Sequence, residues 1–293
     1  MNAAVLLASS AALALSLCAP SPAPSRGAPG NPPNHEQRAV SAPRKTECRD
    51  EAGMAYIPGG HHRYSDVVRG KWRDVDVAAF WLDRFEVTVA EYRSCVEAGA
   101  CKQPRSSSSG YTDPARHPLV CTWEMQDGGS LPINCVDHDD AGAYCAWVEK
   151  RVPLGFEWTW AAQGRELRRK YPWGDSVGSC DDAIIDQNTD DDERGCGRER
   201  PWPVGSRSRD VTRDGVMDMA GNVGEIATFP FPEDIGPPHQ YGMSEGCGSA
   251  WTVHLKAYGM AACSPIVSSS YSDNAGFRCA KTPSAVPPCT VVK

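Results

Sequence analysis

The sequence predicts a single α+β domain built from short elements and long connections, and three observations predict it. First, 27 glycines and 24 prolines interrupt the chain too often for long helices or broad sheets. Second, short runs of strand period and three short runs of helical period follow one another without an internal repeat or a second linker. Third, nine tryptophans and a hydrophobic fraction of 41% supply a core, so the chain is not disordered despite its many loop residues.

The elements follow in order. Residues 1–18, "MNAAVLLASSAALALSLC", form an apolar run of small residues, as in an export signal, although no Lys or Arg precedes it. The run is too short and too rich in Ala and Ser for a membrane-spanning helix. "LSLC" at Leu15 to Cys18 resembles a lipobox, with Leu17 where a smaller residue is usual. Cys18 is therefore a candidate lipid anchor, with plain cleavage nearby as the alternative. Residues 19–47 are dominated by Pro, Ala, Ser and Gly and read as a semi-extended spacer. The compact domain spans residues 48–293. "MAYIPGG" from Met54 reads as a strand and a turn, and Val75 to Thr88 reads as further strand. Thr88 with Glu91 three residues on makes a capping box for a helix whose Val89, Tyr92 and Val96 line one face and which ends at Gly99. A second helix starts near Asp137, with Ala141, Tyr144, Cys145 and Val148 on one face. A third covers Phe156 to Ala162 and stops at Gly164.

Composition excludes some functions. A net charge of −7 argues against a nucleic-acid partner, and no polybasic patch invites a membrane, so an acyl chain on Cys18 would be the only membrane tie. Thirteen cysteines point to an oxidising compartment, and setting Cys18 aside leaves an even number. Cys95 and Cys101 flank a short loop past a helix end and are expected to pair. Cys180 and Cys196 are expected to close an acidic loop. Cys121–Cys135, Cys247–Cys263 and Cys48–Cys289 are open guesses, because spacing does not determine connectivity.

Eight fragments occur in an order that carries a resemblance: "MAYIPGG", "DRFEVTVAEY", "PINCVDHDDAGAYCAWVEKRVP", "FEWTWAAQG", "YPWGD", "PVGS", "GVMDMAGNVGE" and "NAGFRCA". The series resembles the sulfatase-modifying-factor, or formylglycine-generating enzyme, family over residues 54–281. The resemblance implies a loop-rich variant of the C-type-lectin fold and a disulfide from Cys145 to Cys279. It also implies a substrate groove at Ser249, Trp251 and Asn274. Family members that act on sulfatases oxidise a substrate cysteine with oxygen, Cu(I) and two cysteines, and soft thiolates suit that ion. Those two cysteines lie after a Gly-Gly-Ser turn. Counting on from "GCGS" at Gly246 to Ser249, the positions fall on Thr252 and Ala257. Neither residue can bind copper as a thiolate, so no copper is expected. Cys247 precedes the turn and Cys263 lies well past it; Cys247 and Ser249 are the remaining catalytic candidates. "GNVGEI" places Gly224 and Ile226 where the family usually has an aromatic wall. Other relatives hold iron on several histidines, typically with an H-x-x-x-H pair. His35, His61, His62, His117, His138, His239 and His254 form no such pair, and adjacent His61 and His62 are expected on the surface, facing opposite ways.

The resemblance also implies calcium in "DMAGNVGE". Asp218 and Glu225 would offer carboxylates, and Met219, Gly221 and Val223 backbone carbonyls, a hard-oxygen set suited to that ion. The alternative is a Gly-Asn turn without an ion. Asp186, Asn188 and Asp190 open like an EF-hand loop, but Asp191 and Gly197 stand where Gly and Glu are needed. A solvated acidic loop, which could still supply a second calcium site, is expected there. Two functional readings remain. One is an exported, calcium-supported module that binds a protein or peptide ligand. The other is an active oxidoreductase that oxidises a substrate cysteine with a rearranged site.

Overall fold

The computed structural model of the protein describes residues 46–47, 51, 53–66, 70–105, 119–187, 193–231, 243–254, 262–283 and 290–291. The chain divides into two units, Met1–Arg44 and Lys45–Lys293. The leader, Cys18, most of the spacer, Cys48, Cys289, His35, His117, His239 and Ala257 lie outside the described residues.

Among the described residues the larger unit holds four small sheets, three α-helices of eight to ten residues, a four-residue helical turn at Arg194–Gly197 and three short 3-10 turns. β1 (Thr46–Glu47) pairs with β11 (Thr290–Val291), and β2 (Met54–Ile57), β5 (Phe80–Asp83) and β10 (Ala280–Lys281) form a second sheet with β5 in the centre. β3 (Gly60–Asp66) and β4 (Lys71–Val77) make a hairpin. The single strand expected over Val75 to Thr88 is thus two strands that join different sheets. Gly59 allows the crossing, since a Cβ there would lie 2.5 Å from the Val77 carbonyl oxygen. β6 (Gly224–Thr228), β7 (Met243–Cys247) and β8 (Cys263–Val267) run antiparallel, and β9 (Ala275–Gly276) joins β6 in parallel.

Helix α1 (Val89–Glu97) begins at the Thr88 capping box: the Glu91 N–H donates to Thr88 Oγ1 and the Thr88 N–H to Glu91 Oε2. Gly99, at φ +73°, turns the chain out of it. Helix α2 (His138–Trp147) has a second capping box, Asp137 with Asp140, and Arg105 pairs with both carboxylates. Helix α3 (Gly155–Ala162) is buried almost all round and carries Trp158 and Trp160 into the main core with Phe80, Leu82 and Ala227. A second core gathers Tyr92, Tyr144, Ile133 and Phe277. Disulfides join Cys95 to Cys101, Cys121 to Cys135, Cys145 to Cys279, Cys180 to Cys196 and Cys247 to Cys263. Cys145–Cys279 ties α2 to the chain just before β10, and Cys247–Cys263 links facing residues of β7 and β8. Among the described residues no helix is long and apolar enough to cross a membrane.

Candidate functional site

The loop before β6 is built around a buried charge cluster. Asp218 and Asn222 adopt left-handed backbone, at φ +58° and +66°, conformations that Asp and Asn tolerate better than most residues. This folds "DMAGN" tightly and turns the Asp218 carboxylate onto the Gly205 N–H. Glu225, first inward residue of β6, accepts Arg278 Nε and Nη2 at 2.6 Å each and Trp158 Nε1 at 2.8 Å. Arg278 also donates to the carbonyls of Asp83 and Met217 and is 0% exposed. Two further acids close the cluster. Glu86 accepts from Asn222 Nδ2 and the Val223 N–H, and Asp210 accepts from the Ala220 N–H.

Four buried carboxylates thus surround one guanidinium. Burial, followed by Asp218 and Glu225, pushes Glu86 well above the ordinary carboxylate range. Burial and Asp218 do the same to Asp210, and burial raises Asp218 to about 6 despite its Gly205 hydrogen bond. Burial would lower the pKa of Arg278, but Glu225 first, then Glu86 and Asp218, more than offset it and leave the pKa raised. Acidic groups therefore outnumber the one guanidinium here, and burial favours the protonated form of those Arg278 does not grip.

The residues implied for a groove, Ser249, Trp251 and Asn274, follow β7. Ser249 is 4% exposed, and its Oγ has no hydrogen-bond partner among the described residues. Trp251 is a core side chain, 1% exposed, whose Nε1 donates to the Asp273 carbonyl. Thr252 Oγ1 accepts from Asn274 Nδ2 at 3.3 Å, and Asn274 Oδ1 in turn accepts from Ser272 Oγ. Thr252 thus brings a hydroxyl, already paired, where the resemblance implies a thiolate. Cys247 and Cys263 are bonded to each other and buried. Gly224 leaves the strand without an aromatic wall, and Ile226, two residues on and facing the same way, is buried in the second core.

The histidines require one correction. His61 is exposed, but His62 is 1% exposed with Nε2 against Thr159 Oγ1 at 2.9 Å. Strand alternation sends the two imidazoles to opposite faces, and the face of β3 that receives His62 packs on α3, so it is a core residue. Burial, then Arg168 and His61, lowers its pKa to about 4. His138 Nε2 meets Thr228 Oγ1. Among the described residues no group of three candidate metal ligands contains a histidine. Asn188, Asp190 and Asp191 of the acidic loop lie outside the described residues.

One buried constellation has no counterpart in the sequence reading. Glu245 on β7 is 3% exposed; its Oε1 accepts from Tyr64 on β3, and Oε2 has no partner. Burial raises its pKa to about 7; the Tyr64 hydrogen bond opposes the shift, and Asp66 adds to it. Oε2 occupies the space beside Gly155, where a Cβ would lie 1.5 Å from it and 2.9 Å from the Tyr64 hydroxyl. Gly155→Ala is therefore expected to destabilise the domain by about 1–3 kcal/mol, although Ala favours the helix. Urea denaturation measures this, and an unchanged midpoint would show that the carboxylate has room to move.

Comparison with known proteins places this geometry. The sulfatase-modifying factor enzyme 1-like domain matches residues 39–283. Hercynine oxygenase of Mycolicibacterium thermoresistibile is 30% identical over 175 residues, 53% of this chain and 37% of that protein, so this chain spans well under half of it. The mouse inactive C-alpha-formylglycine-generating enzyme 2 is 26% identical over 242 residues, 71% of this chain and 70% of that one. Among solved structures, PvdO from Pseudomonas aeruginosa superposes with a TM-score of 0.58 at 22% identity, covering 78% of this chain and 93% of its own, a likeness of fold.

Proposed function

Because this chain belongs to the sulfatase-modifying factor enzyme 1-like family, we propose that it uses the family scaffold as an exported, calcium-supported module that binds a protein or peptide segment, without the family's copper chemistry. One observation carries this reading. Thr252 holds a thiolate position with a paired hydroxyl, while the cysteines on either side of it in sequence, Cys247 and Cys263, are closed on each other. A hydroxyl does not replace a soft thiolate toward Cu(I). Fold membership leaves activity open, and a relative named as inactive shares about the same span of chain. The five disulfides among the described residues favour an oxidising compartment, in line with an export signal ending near Cys18.

Calcium fits the donor chemistry of the cluster. Asp218 and the carbonyls of Met219, Gly221 and Val223 would hold the ion. Glu225 is already gripped by Arg278 and Trp158, so its role would be to share an oxygen or to add charge. A hard divalent cation would displace the protons that burial favours on Asp218 and its neighbours and would take up the resulting negative charge. An ion bound only by the folded state stabilises by about 2.7 kcal/mol at a hundred times its Kd. A chelator is expected to lower Tm, and Asp218→Ala to remove that sensitivity. A wild-type Tm indifferent to chelator would remove calcium from the account.

A further inference from the structure

We infer that reducing the Cys247–Cys263 disulfide opens a zinc site made of the two thiolates and the Glu245 carboxylate. The two sulfurs and a Glu245 carboxylate oxygen all lie within 4.8 Å of one another, and all three residues are buried. In a tetrahedral site with Zn–S bonds of about 2.3 Å, ligand atoms stand about 3.5–3.8 Å apart, so the three need only small side-chain rotations to reach one ion. The β-sheet aligns them. Glu245 and Cys247 are two residues apart on β7 and face the same way, and Cys263 is opposite Cys247 on β8.

Three features separate this cluster from an ordinary buried staple. Among the described residues, Glu245 carries a carboxylate into the core with no cation in contact, and its Oε2 has no partner, a costly arrangement in a folded protein. The first residue of α3 is a glycine, and its missing Cβ is what leaves room for that oxygen. Cys263 also lines a cavity of about 150 Å³ with His62, Tyr64, Thr159 and Gln163, which gives a small ion a route to the sulfur. The ligand set selects the metal: two thiolates with a carboxylate suit borderline Zn²⁺, whereas Cu(I) prefers soft ligands alone. Tyr64, already on Glu245, fixes the carboxylate as an outer hydrogen-bond partner.

The chemistry balances with a dithiol as reductant. Its first thiolate attacks Cys263 Sγ, the Cys247–Cys263 bond breaks, and Cys247 leaves as a thiolate that takes a proton. The second thiolate then attacks the mixed disulfide and frees Cys263, so the dithiol ends as a cyclic disulfide, oxidised by two electrons. Zn²⁺ then displaces the protons held on the two sulfurs.

The test uses the full chain, reduced stepwise with dithiothreitol under argon, with and without Zn²⁺, then alkylated and mapped by peptide mass spectrometry. Zinc is expected to protect Cys247 and Cys263 from alkylation and to leave the other reduced cysteines open. Cobalt in place of zinc should give sulfur-to-metal charge-transfer absorption only after reduction, and Glu245→Gln should weaken zinc binding at least about tenfold. Equal alkylation of Cys247 and Cys263 with and without zinc would overturn the proposal. So would equal protection of every reduced cysteine, or a Glu245→Gln chain that binds zinc as the wild type does.

Discussion

Arg278→Met is expected to cost about 3–5 kcal/mol of folding stability, a large share of what a domain of this size has. Arg278 is fully buried and, among the described residues, is the one cation hydrogen-bonded to Glu225, with Glu86, Asp210 and Asp218 close enough to influence its charge. Removing it leaves buried acids uncompensated and strips two backbone carbonyls, of Asp83 and Met217, of their donor. The loss should depend on pH in a defined direction. Folded-state pKa values raised above the unfolded ones mean that the fold takes up protons, so these acids favour folding most below their unfolded values. That contribution is lost as pH rises through the raised values, a window that for Asp218 runs from 3.8 to about 6. The variant should therefore be closer to wild type at pH 5 than at pH 8, with chelator present throughout so that ion binding does not intervene. Urea unfolding at both values decides it; a deficit under about 1 kcal/mol at pH 8 would show that the acids are neutral and the cluster unstrained.

Removing the Cys145–Cys279 disulfide, as Cys145→Ala with Cys279→Ala, is expected to cost about 4–5 kcal/mol. The bridge closes a loop with a sequence separation of 134, and loop-closure entropy in the unfolded chain grows with that length. Both cysteines are 0% exposed within the core of Tyr92, Tyr144 and Phe277, so truncation adds a packing loss. By the same argument, losing Cys95–Cys101, with a separation of 6, should cost markedly less. Denaturation midpoints of the two variants test the order, and equal losses would mean that native packing rather than the unfolded chain sets the effect.

Much of the fold was legible because its signals are local. Thr88 with Glu91 announces α1, Asp137 with its following acids announces α2, and Gly99 marks an end, since caps and left-handed positions are written within a few residues. The break at Ala78–Ala79 was not legible, because β4 and β5 join different sheets and only tertiary pairing separates them. The same limit applies to the site. Asp218 and Glu225 stand within one fragment, but Glu86, Asp210 and Arg278 come from distant segments and become a cluster only when packed. His62 followed strand alternation correctly as to direction. What sequence could not show is that α3 would cover that face. Glu245 carries no motif at all; its one local hint is Gly155, and a glycine opening a helix has many explanations.

Thr252 and Ala257 stand where the resemblance implies a thiolate pair, and the proposed function rests on that replacement. Its most direct test is mass spectrometry of a Cys-x-Pro-x-Arg peptide after incubation with the purified protein, copper, oxygen and reductant. The account predicts an unchanged substrate cysteine with or without copper, and aldehyde formation only once Thr252→Cys and Ala257→Cys are introduced together. Conversion of the peptide by the wild-type chain, lost in Cys247→Ser, would contradict it and would make the β7–β8 cysteines a working active site.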